Sequence, residues 1–270
     1  GDIPIVLCSE ENYLGPQETY TKKQAIATAD RTPLTQLADP YNMVLLYSNL
    51  YLDENIQLIY HIVPEIKKFI FIGDARQINQ TNNLDIRNKL KKTHPNVEYQ
   101  FITPQDMTTN QLLDSLYFVD PKTTGVLFSS WFYKTTFAGN TSLVSNAHKL
   151  IGTTAAPIFT LNMADITEEN GGMIGGYTYN QKHFNQQLIH TIAEILAGKQ
   201  ARDIPFYIPT DGALPTSTPT IWFRHPVHDS RIVRPIAQYA PMSASTGLIL
   251  ENRLHTRSVS VVAITVFKTR

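Results

Sequence analysis

The sequence predicts an α/β protein with parallel sheets flanked by helices. Three observations carry this. Short, nearly continuous apolar runs recur along the chain, helix-length segments separate them, and polar or glycine residues mark their exits. The 270 residues are 42% hydrophobic and 17% charged, which suits a chain with a substantial core and excludes a disordered one.

The first run, Asp2-Ile3-Pro4-Ile5-Val6-Leu7-Cys8, ends in the polar Ser9-Glu10-Glu11-Asn12 and reads as a buried strand feeding a loop. Residues 14 to 42 carry no clear period. Residues 43 to 63 read as a helix with Leu50, Ile56, Ile59 and Ile62 in the core, limited by Pro64. Lys67 to Asp74 is the second strand, with Gly73 and Asp74 at its exit. A helix over 79–92, a strand over 97–102, a helix over 108–118 starting near Thr108 or Thr109, and a strand over 124–129 follow. A helix over 141–151 and the strand Pro157-Ile158-Phe159-Thr160-Leu161 complete the repeat.

Beyond residue 171 the texture changes. Gly171-Gly172-Met173-Ile174-Gly175-Gly176-Tyr177 lets backbones approach closely, but no Lys-Ser/Thr follows, so it fails as a phosphate loop. A patterned helix over 183–197 is closed by Gly198, and 204–209 reads as a short strand. Residues 220–270 hold 7 Lys+Arg against 2 Asp+Glu, an asymmetry hidden by the balance of 23 against 23 in the whole chain. Within this tail, Val259 to Phe267 is long enough for a strand and too short for a membrane helix.

Neutral net charge argues against a chain built to coat nucleic acid, and no helix-turn-helix segment is evident. A single cysteine, Cys8, excludes an internal disulfide or thiolate metal cluster. It reads as a small buried side chain rather than a nucleophile paired with His148 or His183. His225, His228 and His255 lack a partner cluster of ligand spacing, so no metal is expected, nor any cofactor. No leader or membrane span lies in this stretch, so an export signal would lie outside it.

In open parallel sheets, ligands lie beyond the carboxyl ends of the strands. That rule selects the loops at 9–13, 73–79, 129–134 and 162–170. Trp131, with Ser129 and Ser130 beside it, is the leading binding candidate, its alternative being a core position; as a ligand contact, its loss should weaken binding. Ser9, Glu10 and Asn12 either face a ligand or form a solvated loop. Asp74 either accepts from a ligand or caps the following helix, and Asn162 and Asp165 face the same choice. Tyr177 lines a cleft or simply packs. A hydrolase using the strand-exit carboxylates Glu10, Asp74 and Asp165 is the enzymatic alternative; Ser129 and Ser130 lack a nucleophile elbow, and no enzyme is expected.

The segments Gly1-Asp2-Ile3-Pro4-Ile5-Val6-Leu7-Cys8, Ile62-Val63-Pro64-Glu65-Ile66-Lys67-Lys68-Phe69-Ile70-Phe71-Ile72 and Ala156-Pro157-Ile158-Phe159-Thr160-Leu161 carry a resemblance, continued by Gly171 to Tyr177, Ile195-Leu196-Ala197-Gly198-Lys199 and Asp203-Ile204-Pro205. In order and spacing, over residues 1 to about 210, they resemble ABC-transporter substrate-binding-like domains of the type I periplasmic-binding fold. In particular they resemble the version used as the extracytoplasmic sensor of bacterial two-component histidine kinases. The resemblance implies two α/β lobes, with crossovers near 13–60 and 171–182, closing on a small solute in signal transduction.

On this reading 1–62 is a partial N-terminal lobe and crossover, and 63–176 the C-terminal lobe. Residues 177–270 are the return crossover, a helix and an atypical basic tail. The first strands and helices of the N-terminal lobe are absent, which leaves that lobe either incomplete or rebuilt by the tail. The implied partner is a sugar, nucleoside, amino acid or similar solute, in the periplasm, with no nucleic acid. The membrane would be met only through segments outside this chain, and a homodimer is left open. A substrate-binding protein of an ABC transporter is the alternative within the same fold.

Overall fold

Val6, Val44, Leu45 and Leu46 bury almost their entire side chains because they lie in two parallel strands, β1 (Ile5–Ser9) and β4 (Met43–Tyr47), paired in register from Ile5 opposite Met43 to Ser9 opposite Tyr47. The computed structural model describes residues 3–37, 41–137, 140–144, 151–152, 154, 156–162, 173–208, 220–223 and 261–265. On the other edge of β1 lies β13 (Val261–Thr265), antiparallel, so the tail supplies a strand to this small sheet. Tyr207 extends it beyond β4, donating its N–H to Leu45 and accepting from the Tyr47 N–H, both at 2.9 Å.

The helix expected over 43–63 therefore opens with a strand, and only its second half is helical. Met43 to Leu46 is apolar at every position, a pattern that periodicity alone cannot assign to a strand or a buried helix. Tyr51, at φ 51°, turns the chain, and helix α2 (Leu52–Ile62) begins where the spacing becomes amphipathic, with Asp53 and Glu54 favoured in its first turn.

The larger sheet has six strands. Its order is β12 (Thr220–Phe223), β11 (Gly175–Thr178), β10 (Ile158–Thr160), β7 (Thr124–Phe128), β5 (Lys68–Ile72) and β6 (Glu98–Ile102), all parallel except β12. Period-two alternation sorts its side chains. Phe69 and Phe71 pack with Ile56 and Ile59 of α2 and Ile86 and Leu90 of α3 (Gln77–Thr93). Ile70 and Ile72 face the opposite layer, with Leu112 and Leu116 of α4 (Thr109–Tyr117). Helix α4 starts with a capping box in which Thr108 and Gln111 exchange bonds, which explains the start read from the sequence.

Two further elements join the sheets. Asn55 of α2, fully buried, accepts from the Tyr177 N–H at 2.8 Å and donates to its carbonyl at 2.9 Å, tying α2 to β11. Beside it, a Cβ on Gly176 would meet the Thr160 carbonyl at 2.0 Å, so close strand approach requires glycine there. Helix α5 (Gln181–Leu196), capped by Asn180 and ended by Gly198 at φ 107°, packs Phe184 and Ile195 against Val6, Val44 and Leu46 of the small sheet.

The remaining pieces are a strap and a hairpin. Residues 12–37 include β2 (Tyr13–Leu14) paired with β3 (Thr32–Pro33), and helix α1 (Gln17–Thr21) between them. Buried Ile26 and Arg31 fasten the strap to α3 through Thr81 and Asp85. β8 (Tyr133–Phe137) and β9 (Asn140–Val144) form an antiparallel hairpin where the sequence predicts the start of a helix over 141–151; residues 145–150 lie outside the described set. The β-branched Thr141 and Val144 favour a strand here over the expected helix. The architecture is mixed α/β, parallel and antiparallel sheets flanked by helices. No helix among the described residues is long and apolar enough to cross a membrane.

Candidate functional site

A cavity of about 680 Å³ opens at the carboxyl ends of β1 and β4. Glu10, Glu11 and Asn12 enter it from the β1 exit, and Tyr47 and Asn49 from the β4 exit. The strap roofs it with Tyr13, Thr28, Arg31, Pro33 and Thr35. Its far wall belongs to the helices that cover the large sheet: Leu52, Asp53, Glu54 and Ile56 from α2, with Asn82, Asp85 and Ile86 from α3. Groups that pack on both sheets thus meet around one space.

Local bonding holds its polar walls in place. The Ser9 hydroxyl accepts from the Glu11 N–H at 3.0 Å, and the Ser9 carbonyl accepts from the Ser48 N–H at 2.9 Å, so Ser9 shapes the turn rather than facing the cavity. The buried Glu11 accepts from the Tyr13 hydroxyl at 3.2 Å and from the Gln77 amide at 3.5 Å. Arg31 lies 4.6 Å above the Tyr13 ring, pairs with Asp85 at 2.6 Å and donates to the Ile26 carbonyl at 3.1 and 3.3 Å. Asn49 accepts from the Tyr47 hydroxyl at 3.2 Å and from the Tyr51 N–H at 3.1 Å.

Burial pushes the Glu10 carboxyl up to about 6, partly offset by the Arg76 guanidinium and reinforced by Glu11. Burial also raises the Glu11 carboxyl, against its bonds from Gln77 and Tyr13. The Tyr47 hydroxyl is pushed up to about 12, first by burial and then by Glu11, Glu54 and Glu10.

The Glu10 shift has a stability consequence whose sign is opposite to that of a salt-bridged acid. Between about 4.5 and 6 the folded chain holds a proton that the unfolded chain has released, so stability falls as pH rises through that window. Glu10→Gln is expected to stabilise the fold at pH 7 by about 1 to 2 kcal/mol, the gain vanishing below pH ~4.5. Urea midpoints measured from pH 4.5 to 8 check this, and a gain that persists at the acid end contradicts it. The charged or titratable neighbours are Arg76, Glu11, Tyr47, Tyr179 and Cys8, whose own thiol is raised by burial.

The other strand-exit candidates do not share this space. Asp74, 1% exposed, accepts from the Arg76 N–H and Nε, from Asn79 Nδ2 at 2.9 Å and from the Ser130 hydroxyl at 2.7 Å. Its capacity is spent on its own neighbours. Trp131, expected at a binding rim, is instead 2% exposed in the core beside Leu112, Leu116 and Phe128, its Nε1 donating to Thr109 Oγ1 at 3.1 Å. Asn162 donates to the Ser129 carbonyl and joins the ends of β7 and β10. Tyr177 is held by Asn55 and packs against the α2 side of the sheet.

Asp165 lies outside the described residues, as do His148, His225, His228 and His255. Of the sequence candidates, Glu10 and Asn12 line the cavity, whereas Asp74 does not and is bonded to Arg76, Asn79 and Ser130. Among the described residues, no cluster of three or more His, Cys, Asp or Glu side chains could hold a metal ion.

Sequence reasoning reached Glu11 and Tyr13 only as members of the 9–13 loop and missed Arg31, Tyr47, Asn49, Asn82 and Asp85. The signal for Tyr47 and Asn49 was present: had 43–47 been read as a strand, the carboxyl-end rule would have selected them. Comparison with protein families, with curated proteins and with solved structures finds no match.

Proposed function

We propose that the chain is a small-solute-binding domain of the two-lobed, type I periplasmic-binding kind, serving as the extracytoplasmic sensor of a bacterial histidine kinase and binding without turnover. The observation that carries this reading is the cavity itself. It lies at the carboxyl edge of β1 and β4, and its opposite wall comes from α2 and α3, which pack on the other sheet. A ligand bridging those walls would favour their approach, and closure would be the transmitted event.

A thermal-shift screen tests the reading, because a ligand that binds only the native state raises its midpoint. The set comprises ribose, glucose, adenosine, neutral amino acids, aliphatic amines and dicarboxylates. At least one class is expected to raise the midpoint, with the rise lost in Asn82→Leu. No rise with any class overturns the proposal.

A further inference from the structure

We infer that the cavity takes a cationic ligand, an aliphatic amine or guanidine; this deepens the solute-binding reading and rests on it. Among the described lining residues, five carboxylates (Glu10, Glu11, Asp53, Glu54 and Asp85) face one guanidinium. That guanidinium, Arg31, is committed to Asp85 and to the Ile26 carbonyl. Asp53 is answered by Lys89 at 2.6 Å. The hydrogen bonds to Glu11 come from neutral donors, with Arg31 acting on it only through space, and Glu10 has no hydrogen bond or ion pair among the described residues, its charge being offset only in part by the Arg76 guanidinium.

A half-desolvated space lined this way repels anions and attracts a cation, whose charge relieves the repulsion among the acids.

A second feature points to a ligand independently of charge. Asn82 lies on α3 and lines the cavity at 6% exposure, and its side chain makes no hydrogen bond with any described residue. Its amide opens into the cavity rather than into packed protein, and a polar group on a ligand would meet it there. Around it, Leu50, Leu52, Ile56, Ile86 and Ile208 add apolar wall. The chemistry that fits is a positive head carried on a short alkyl chain, with a second polar group for Asn82.

Calorimetric titration of the whole chain with putrescine and agmatine, against 1,4-butanediol, ribose and succinate, tests the inference. The amines are expected to bind, with butanediol and succinate at least about tenfold weaker. This comparison uses the wild-type chain and so does not depend on any variant folding. Glu10→Gln and Asn82→Leu should each weaken the amines at least about fivefold, while Asp114→Asn, exposed on α4, should not.

Butanediol or ribose binding as tightly as the amines overturns the charge selection and leaves the solute-binding reading standing. Amine affinity indifferent to both cavity variants, each confirmed folded by its urea midpoint, overturns the assignment to this cavity. Failure of these five probes and of every compound in the thermal-shift set removes both readings.

Discussion

Trp131→Ala is expected to lower folding stability by about 3 to 5 kcal/mol while leaving amine affinity unchanged. The side chain is among the largest fully enclosed ones, packed between the large sheet and α4, and it takes no part in the cavity wall. Truncation removes the ring's contacts, opens a void and strands the Thr109 hydroxyl that accepts from Nε1. Trp131→Phe fills most of the space and should cost about 1 to 2 kcal/mol. Urea unfolding at constant slope measures the first effect and titration with putrescine the second. A loss of affinity in a chain of near-native stability would return Trp131 to the binding site and contradict its assignment to the core.

Asp74→Ala should be of similar size, about 3 to 5 kcal/mol, for an electrostatic reason. One carboxylate accepts from Arg76, Asn79 and Ser130 together; its removal takes the acceptor from the Ser130 hydroxyl and leaves the Asn79 amide only its bond to Ser130 Oγ. Arg76 is partly exposed and can turn to water, whereas Asn79 at 0% and Ser130 at 7% cannot. Asp74→Asn, which retains one acceptor oxygen, should cost less than Asp74→Ala. A double-mutant cycle with Ser130→Ala isolates the shared bond, and coupling is expected because both residues belong to one network. A cost under about 1 kcal/mol for Asp74→Ala would mean the network contributes little. The variant also reaches the cavity indirectly. Asp74 holds the guanidinium that lies 4.7 Å above the Phe132 ring and partly offsets the charge of Glu10.

The larger sheet was legible because β5, β7 and β10 are apolar runs and β6 an alternating one, all set apart by helix-length segments. The small sheet was harder. Met43 to Leu46 runs without a break into an amphipathic helix, and a fully buried strand has the same composition as a buried helical turn. The strand near residue 261 was visible as a β-branched run, but its antiparallel pairing with β1 is a tertiary choice that no local pattern encodes. The strand-exit rule selected Glu10 and Asn12, which line the cavity, and could not discriminate among the rest. It locates polar residues at a sheet edge without telling whether they face a space or one another. Asp74, Asn79 and Ser130, from two exits, satisfy each other, and the direction of the Trp131 ring depends on the α4 layer beneath it. Asn82 was invisible because, in sequence, it is one amide among several polar residues on a helix.

Amide hydrogen exchange with and without saturating putrescine tests the central claim, that the space between the small-sheet exits, the strap and the α2–α3 wall is the binding site. Protection is expected in residues 10–14, 28–35, 47–56 and 82–86. Protection confined to 129–132 and 160–162, with those four segments unchanged at saturation, would contradict it.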